Sequence, residues 1–224
     1  FCTAKKFIMI LTDTHTHLYS EEFDNDRDSM IERAINMGIK RFFVPSIDSS
    51  CTKQMYDLET KYPDNIFLMM GLHPTYVKEN YEEELAHVEQ QLTTHKFYAV
   101  GEIGIDLYWD KTRLKEQQDA FKKQIQLAKK HKLPINIHCR DAFNEVFEVL
   151  ESETDDKLRG IFHCFTGNLA QAKQAIDLNF YLGIGGVVTY KKAGLDLVLA
   201  NIPLKNIVLE TDSPYLAPVP YRGK

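Results

Sequence analysis

The feature that most restricts the fold is an alternation of short apolar runs with segments of helical periodicity, repeated about eight times along the chain. Runs of this kind, rich in β-branched and aromatic residues, are typical of buried parallel strands. Between them, apolar residues recur three or four positions apart, as on one face of a helix. The expected strands lie near Met9–Asp13, Ile39–Val44, Ile66–Gly71, Phe97–Glu102, Pro134–His138, Arg159–His163, Phe180–Ile184 and Asn206–Glu210.

This alternation predicts a parallel sheet, and eight units favour a closed (β/α)8 TIM barrel over an open, doubly wound sheet. The 224 residues suit one domain, 1–224, and no linker or low-complexity segment divides them. The chain ends at Lys224, shortly after the last expected strand, so we expect a barrel that lacks its last helix. Apolar surface on the first and seventh helices would then be exposed, and a C-terminal extension should raise the melting temperature. Met9 is a candidate natural start, with residues 1–8 as an extension.

Composition excludes some classes of partner. The net charge is −5, so no basic field attracts nucleic acid or a membrane, and a nucleic-acid substrate would need local cations or metals. No apolar run approaches the roughly 20 residues that span a bilayer, and no signal-peptide pattern is present. The four cysteines show no CxxC spacing, which is typical of thiols in a reducing cytoplasm. We therefore expect a cytoplasmic protein.

Two histidines one residue apart, His15 and His17, follow the first expected strand. Residues i and i+2 of a strand point to the same face, so both imidazoles would aim at one spot. Neutral imidazoles suit a divalent metal, but two ligands do not hold one. Taken alone, such a pair is more often a surface or core pair without a metal, because short histidine motifs match by accident.

The residues at the other strand ends favour the interpretation with a metal. In a βα barrel the carboxyl ends of all strands meet at one face, where catalytic residues gather. Ionisable groups packed so closely would repel one another or stay unsatisfied without a compensating cation, so the set favours a metal centre. The residues at these ends are His15, His17, His73, Glu102, Asp106, His138, Arg140, Asp141, His163, Glu210 and Asp212.

The motifs around these residues are Asp13–His17, Gly71–Pro74, Gly101–Asp106, His138–Ala142, His163–Gly167 and Glu210–Tyr215. Together they resemble the TatD-type metal-dependent deoxyribonucleases, a family within the amidohydrolase-like barrel superfamily. The resemblance covers essentially the whole chain, and Arg222–Lys224 matches the start of a further motif. The continuation of that motif and the last helix are absent, which is the one departure from the family pattern.

The resemblance implies two divalent metal ions, Mg²⁺ or Mn²⁺ in function, although the imidazoles would also suit Zn²⁺. Glu102 would bridge the two ions. The residues expected to hold the first ion are His15, His17 and Asp212, and those expected to hold the second are His138 and His163. Two such ions activate a water for phosphodiester hydrolysis, so no serine or cysteine nucleophile is required.

The expected catalytic residues are Glu102, Asp212, His73 and Glu210. Among them, Asp212 is the best candidate to take a proton from the attacking water, whereas the sequence assigns no definite role to His73 or Glu210. Asp13 and Asp106 would either orient ligand histidines or touch substrate. Arg140 would contact substrate or form a structural ion pair with Asp141 or Asp106.

The expected partner is DNA, cleaved from single-stranded or frayed ends by a monomeric exonuclease. Bases stack on aromatic side chains only when they are unpaired, and aromatic and basic residues follow several strands. The candidate substrate-binding residues are Arg140, Tyr108, Trp109, Arg222 and Lys224. Tyr108 and Trp109 would otherwise simply pack their loop against the rim.

Two other functions remain open at the level of sequence. A related barrel hydrolase would act on a cyclic amide, an ester or another small substrate, and such relatives usually bridge their metals with a carbamylated lysine. No lysine stands at a strand end here, and Glu102 takes that place. A binding scaffold without a metal would be expected to have lost ligands, and none is lost.

Overall fold

The computed structural model describes residues 10–223 and shows a barrel of eight parallel strands in the order β1 to β8. The predicted Met9 start and the Lys224 contact lie outside the described residues. All eight strands occur where the apolar runs predicted them. Their bounds are β1 Leu11–Asp13, β2 Ile39–Pro45, β3 Ile66–Met70, β4 Ala99–Asp106, β5 Ile135–Arg140, β6 Gly160–Phe162, β7 Phe180–Ile184 and β8 Ile207–Leu209.

The barrel closes where residues around the end of β8 meet residues around the end of β1. The backbone N–H of Thr14 donates to the carbonyl of Leu209 (3.0 Å), and that of Asp212 donates to the carbonyl of His15 (3.0 Å). The buried carboxylate of Asp13 accepts from both the backbone N–H (3.0 Å) and the hydroxyl (2.6 Å) of Thr211. These bonds join the first strand to the last, so the closed barrel is confirmed and the open sheet is excluded.

The helices lie between successive strands, as the periodicity predicted. Their bounds are α1 Arg27–Asn36, α2 Thr52–Lys61, α3 Tyr81–Thr94, α4 Leu114–His131, α5 Phe143–Ser152, α6 Leu169–Asp177 and α7 Leu195–Leu199. Asn168 caps α6 in a reciprocal capping box with Gln171. Within residues 10–223, none of these helices is long and apolar enough to cross a bilayer.

Strand β4 is buried along its whole length and lies close to β5. Gly104 makes this approach possible, because a Cβ at that position would collide with the carbonyl oxygen of His138. Its φ of +145° also disfavours any residue with a side chain. The close pairing brings Glu102 and Asp106 of β4 beside His138 of β5.

After β8 the described residues 210–223 form turns and no helix. Leu209 at the end of β8 is 58% exposed, and Leu197 and Leu204 on the preceding segments are also exposed. Apolar side chains therefore face solvent on this flank of the barrel. The expected stabilisation by a C-terminal extension stays a prediction.

Candidate metal centre

The carboxyl rim of the barrel gathers the predicted ligand residues around one carboxylate, that of Glu102. Glu102 is 2% exposed and projects from β4. Its Oε2 lies 3.3 Å from Nε2 of His15 and 3.5 Å from Nε2 of His17. Its Oε1 lies 2.7 Å from Nδ1 of His138 and 3.2 Å from Nε2 of His163. Each oxygen of Glu102 therefore lies beside a different pair of the predicted ligand imidazoles.

Asp212 completes the group on the Oε2 side of Glu102. Its Oδ1 lies 3.7 Å from Nε2 of His15 and 3.6 Å from Nε2 of His17. The two Nε2 atoms are themselves only 3.1 Å apart. The ligand atoms of these three residues all lie within 4.8 Å of one another, as do those of His15, Glu102 and His163.

A third group consists of His73, Glu102 and His138, but the protonation of His73 argues against a ligand role. The backbone N–H of Thr75 donates to Nδ1 of His73 (3.1 Å). A neutral imidazole has one proton, so an accepting Nδ1 leaves that proton on Nε2. Burial lowers the pKa of His73, which keeps the ring neutral. Its Nε2–H therefore acts as a hydrogen-bond donor, 3.2 Å from Nδ1 of His138 and 3.3 Å from Oε1 of Glu102.

The charges in the centre are strongly coupled. Burial opposes ionisation of Glu102, but the surrounding imidazoles outweigh it and hold the pKa of this carboxyl well below its usual range. Burial lowers the pKa of His17 well below its usual value. Burial also disfavours a charged His163, yet the carboxylates of Glu102, Glu210 and Asp212 raise its pKa well above normal. Burial raises the pKa of Asp212.

The donor set fits divalent cations. Oε2 of Glu102 has no hydrogen-bond partner among the described residues, although it is fully buried beside two imidazole nitrogens. A buried carboxylate oxygen without a donor is costly unless a cation compensates it. Imidazole nitrogen and carboxylate oxygen are the donors that Zn²⁺ and Mn²⁺ accept, and carboxylates also admit Mg²⁺. The residues that could hold such ions are His15, His17, Glu102, His138, His163 and Asp212.

Two aspartates next to the centre play different parts. Asp106 accepts a hydrogen bond from Nε2 of His138 (2.8 Å) and from the backbone N–H groups of Tyr108 and Trp109. It therefore orients a candidate ligand histidine. Asp13 accepts hydrogen bonds from the backbone N–H groups of His15 and of Thr211, which follows β8. It thus supports the closure of the barrel at the seam between β1 and β8.

Glu210 supports the far side of the centre. Its Oε1 accepts the backbone N–H of Cys164 (2.6 Å) and lies 3.3 Å from Nδ1 of His163. That nitrogen and oxygen are close but are not aligned for a hydrogen bond, since Nδ1 of His163 has no such partner among the described residues. Gly183 leaves the space that the Glu210 carboxylate occupies. Glu210 therefore faces His163 and not Glu102.

Sequence reasoning missed Asn136 and the bond that Tyr19 makes to the centre. Oδ1 of Asn136 accepts from Nδ1 of His15 (2.8 Å), and the hydroxyl of Tyr19 lies 3.2 Å from Nδ1 of His17. One signal was available: Asn136 lies two residues before His138 on β5, so the two side chains share a face.

A cleft of about 470 Å³ opens above the centre and includes Arg140 and Trp109 in its wall. The Arg140 guanidinium lies 3.9 Å from the centre of the Tyr108 ring and 5.6 Å from that of Trp109. Within residues 10–223, Arg140 forms no ion pair with Asp141 or Asp106, so it is not the structural ion-pair residue considered from sequence. Trp109 is 69% exposed and Tyr108 is 52% exposed.

Arg222, by contrast, lies outside the wall of the cleft. Its guanidinium is 4.3 Å from the centre of the Tyr190 ring, on the loops that follow β7 and β8. The hydroxyl of Tyr190 donates to the carbonyl of Ala217 (2.8 Å), which ties these two loops together. The structure therefore groups Arg140, Tyr108 and Trp109 but separates Arg222 from them.

A closed βα barrel with such donors at its carboxyl rim defines a metal-dependent hydrolase. The chain belongs to the TatD-related DNase family, whose model matches residues 12–224. It is 39% identical to the uncharacterised metal-dependent hydrolase YabD of Bacillus subtilis over 96% of this chain and 84% of that protein. A second relative, from Buchnera aphidicola, is 34% identical over 96% of this chain and 85% of its own length.

Solved structures agree with this assignment. The TatD homologue YjjV of Escherichia coli superposes with a TM-score of 0.89 and 30% identity, over 96% of this chain and 83% of that one. An organophosphorus hydrolase of Deinococcus radiodurans, 12% identical with a TM-score of 0.64 over 91% of this chain and 75% of its own, shares the fold. The chain is therefore a TatD-family metal-dependent hydrolase.

Proposed function

We propose that this protein is a deoxyribonuclease that removes nucleotides from single-stranded or frayed DNA ends with the help of two divalent metal ions. The observation that carries the proposal is the position of Glu102, whose two oxygens face separate pairs of imidazoles. A carboxylate in that position suits a bridge between two ions, Mg²⁺ or Mn²⁺ in function and Zn²⁺ in an alternative form. When bound, such ions polarise the phosphodiester, lower the pKa of a water and stabilise the leaving oxygen.

The residues around the ions would divide the remaining work. His15, His17 and Asp212 would hold one ion, and His138 and His163 the other, with Glu102 shared. Asp212 lies beside Nε2 of both His15 and His17, and its carboxylate would also accept the proton of the attacking water.

His73 and Glu210 would act beside the ions. His73 lines the cleft, and its Nε2–H would donate to a phosphate oxygen once ions engage Nδ1 of His138 and Oε1 of Glu102, its neighbours in the centre. Glu210 would act on His163 through its negative charge, since its Oε1 lies 3.3 Å from Nδ1 of that ring without a hydrogen bond. Neither residue needs to bind an ion in this scheme.

Substrate would enter past Arg140, Tyr108 and Trp109. The guanidinium of Arg140 suits contacts with the phosphate, and its stack on Tyr108 limits the positions that it can adopt. The exposed Trp109 ring suits stacking with a base, which must be unpaired to reach it. This requirement supports a preference for single-stranded or frayed ends.

The competing function is hydrolysis of a cyclic amide, an ester or another small substrate. Among the described residues, no lysine lines the cleft, so the bridging position that a carbamylated lysine would take belongs to Glu102. Phosphodiester hydrolysis is therefore the better supported reaction.

A direct substrate comparison tests the proposal. Purified protein with Mn²⁺ should shorten end-labelled single-stranded DNA faster than blunt duplex DNA, and should leave a lactone and a dihydropyrimidine intact. Turnover of either small substrate without cleavage of DNA would favour the competing function and reject the nuclease.

A further inference from the structure

We infer that Asn136 is a positioning residue that fixes the tautomer of His15 and so directs the Nε2 lone pair of this ring into the metal centre. Asn136 is 1% exposed on β5, and its Oδ1 accepts from Nδ1 of the fully buried His15 at 2.8 Å. The functional consequence, although not the tautomer itself, rests on the metal centre proposed above.

The contact with an amide oxygen determines which nitrogen of His15 carries the proton. An amide oxygen only accepts hydrogen bonds, so Nδ1 of His15 must carry the single proton of the neutral ring. Nε2 is then unprotonated and lies 3.1 Å from Nε2 of His17, 3.3 Å from Oε2 of Glu102 and 3.7 Å from Oδ1 of Asp212. Only this tautomer can donate a lone pair to a metal from Nε2.

In the metal-free protein, the carboxylates favour the opposite tautomer. The carboxylates of Glu102 and Asp212 both lie within 4 Å of Nε2 of His15, and their negative charge favours a proton on that nitrogen. Asn136 opposes this preference from the other side of the ring. Without Asn136, the proton should move to Nε2, and metal binding would first have to return it to Nδ1.

The contact between Tyr19 and His17 does not select one tautomer of the histidine. The hydroxyl of Tyr19 lies 3.2 Å from Nδ1 of His17, but a hydroxyl both donates and accepts. Tyr19 is therefore compatible with either tautomer of His17. It provides a matched control, because it also contacts a strand-end histidine at Nδ1.

His73 shows the opposite arrangement in the same centre. A backbone N–H, that of Thr75, donates to its Nδ1 (3.1 Å), which leaves its proton on Nε2. The partners of Nδ1 thus divide the rim histidines into a ligand, His15, and a donor, His73. This contrast gives an internal reference for any measurement of the tautomers.

The packing around Asn136 indicates that its amide is kept for this contact. A Cβ on Gly101 would lie only 2.6 Å from Cβ of Asn136, so the neighbouring strand leaves room for the side chain. Nδ2 of Asn136 has no hydrogen-bond partner among the described residues, and the side chain borders a small, largely apolar cavity of about 90 Å³. An apolar residue would pack here without the cost of a buried, unpaired amide nitrogen.

The test compares Asn136→Leu, Asn136→Asp and Tyr19→Phe with the wild type. Long-range proton–nitrogen correlation spectra of the metal-free proteins assign the protonated nitrogen of each imidazole, and calorimetric titration with Mn²⁺ gives the affinity. In the wild type we expect the proton on Nδ1 of His15 and on Nε2 of His73. In Asn136→Leu the His15 proton should move to Nε2, and Mn²⁺ affinity should fall about tenfold to a hundredfold.

The two other variants separate this role from a purely structural one. Asn136→Asp keeps an accepting oxygen and should restore the His15 tautomer and most of the affinity, whereas Tyr19→Phe should leave the His15 tautomer unchanged. A proton on Nε2 of His15 in the wild type would overturn the inference even if Asn136→Leu does not fold. An unchanged tautomer and affinity in a folded Asn136→Leu protein would also overturn it.

Failure of the proposed function gives results that differ from those of a failed Asn136 inference. A wild type with the expected tautomer that binds Mn²⁺ but leaves DNA intact supports the role of Asn136 and rejects the nuclease. A wild type that binds no Mn²⁺ rejects the metal centre, and the His15 spectrum then still decides whether Asn136 sets the tautomer.

Discussion

Nδ1 of His138 lies 2.7 Å from Oε1 of Glu102, across the boundary between two neighbouring strands. The opposite nitrogen of the ring is held by Asp106 at 2.8 Å, so the orientation of His138 is fixed from both sides. This contact depends on the close approach of β4 and β5 at Gly104. The geometry of this contact is therefore a property of strand pairing and not of a loop.

The central role of Glu102 predicts the result of its substitution. Glu102→Gln replaces one charged oxygen by an amide nitrogen, which should weaken both candidate ion positions at once. Bound Mn²⁺ should fall from two equivalents to one or none, and DNA hydrolysis should fall by at least about a hundredfold, the scale of losing one electrostatic stabiliser. Equilibrium dialysis and a DNA assay measure the two effects.

A matched control is the pair of Glu59 and His95, which are 2.7 Å apart outside the centre. Glu59→Gln should leave bound Mn²⁺ and activity unchanged. Two equivalents of Mn²⁺ on Glu102→Gln would show that this carboxylate does not bridge the ions.

The close approach of β4 to β5 predicts a strong effect of Gly104→Ala. The added methyl group would meet the carbonyl oxygen of His138, at a backbone φ of +145°. We expect a loss of more than about 2 kcal/mol in the free energy of unfolding, as for other overpacked, strained positions. Gly194→Ala is the control, since open space surrounds it and its φ of +65° costs about 1–2 kcal/mol. Equal urea midpoints for the two variants would contradict the strand-approach argument.

The exposure of Trp109 predicts a defect that depends on the substrate. Trp109→Ala should reduce cleavage of single-stranded DNA by about tenfold or more, because a stacked base contributes roughly 1–3 kcal/mol. Hydrolysis of a small aryl phosphodiester, which has no base to stack, should stay nearly unchanged. Tyr181→Ala, at a half-exposed aromatic residue on β7, should affect neither substrate. Equal losses on both substrates for Trp109→Ala would show that Trp109 supports the loop and does not hold DNA.

The seam between β1 and β8 predicts a pH dependence of stability. Burial raises the pKa of Asp13 from 3.8 to about 6, although hydrogen bonds from Thr211 and His15 oppose the shift. Well below pH 3.8 the carboxyl is protonated in both the folded and the unfolded protein, so it does not lower the free energy of unfolding. As the pH rises to about 6, the unfolded chain ionises first, so the free energy of unfolding should fall by about 3 kcal/mol from this group.

Asp13→Asn removes this titration and keeps the side-chain shape. In urea unfolding of metal-free protein, the stability of Asp13→Asn relative to the wild type should rise between pH 4 and 6 and then level off. A relative stability that falls with pH would show that the hydrogen bonds to Asp13 outweigh its burial.

Much of the fold follows from local sequence pattern, because each strand is a short apolar run and each helix has an apolar face. Most strand bounds differ from expectation by one or two residues, and the carboxyl ends of β4 and β5 depart furthest. Strand β4 continues to Asp106 and β5 to Arg140, beyond their expected ends at Glu102 and His138. Gly104 and Asp106 disfavour strand locally in the extension of β4, and pairing with β5 overrides that preference.

The candidate site was also predicted only in part. The sequence placed Glu102 and the ligand-type histidines at one rim, because strand ends converge in a barrel. Which oxygen of Glu102 faces which ring depends on register and side-chain direction, neither of which a motif contains. Asn136 resembles an ordinary interior residue until its distance to His15 is known. The separation of Arg222 from Arg140 depends on the path of the loops, which no motif contains.

The most direct test of the central claim is a DNA degradation assay on end-labelled single strands with metal removed and returned. After thorough chelation the wild type should show no cleavage, and added Mn²⁺ or Mg²⁺ should restore it, while Glu102→Gln should stay inactive at every metal concentration. Full cleavage by the chelated wild type would contradict the account, since the rim residues would then not require a metal.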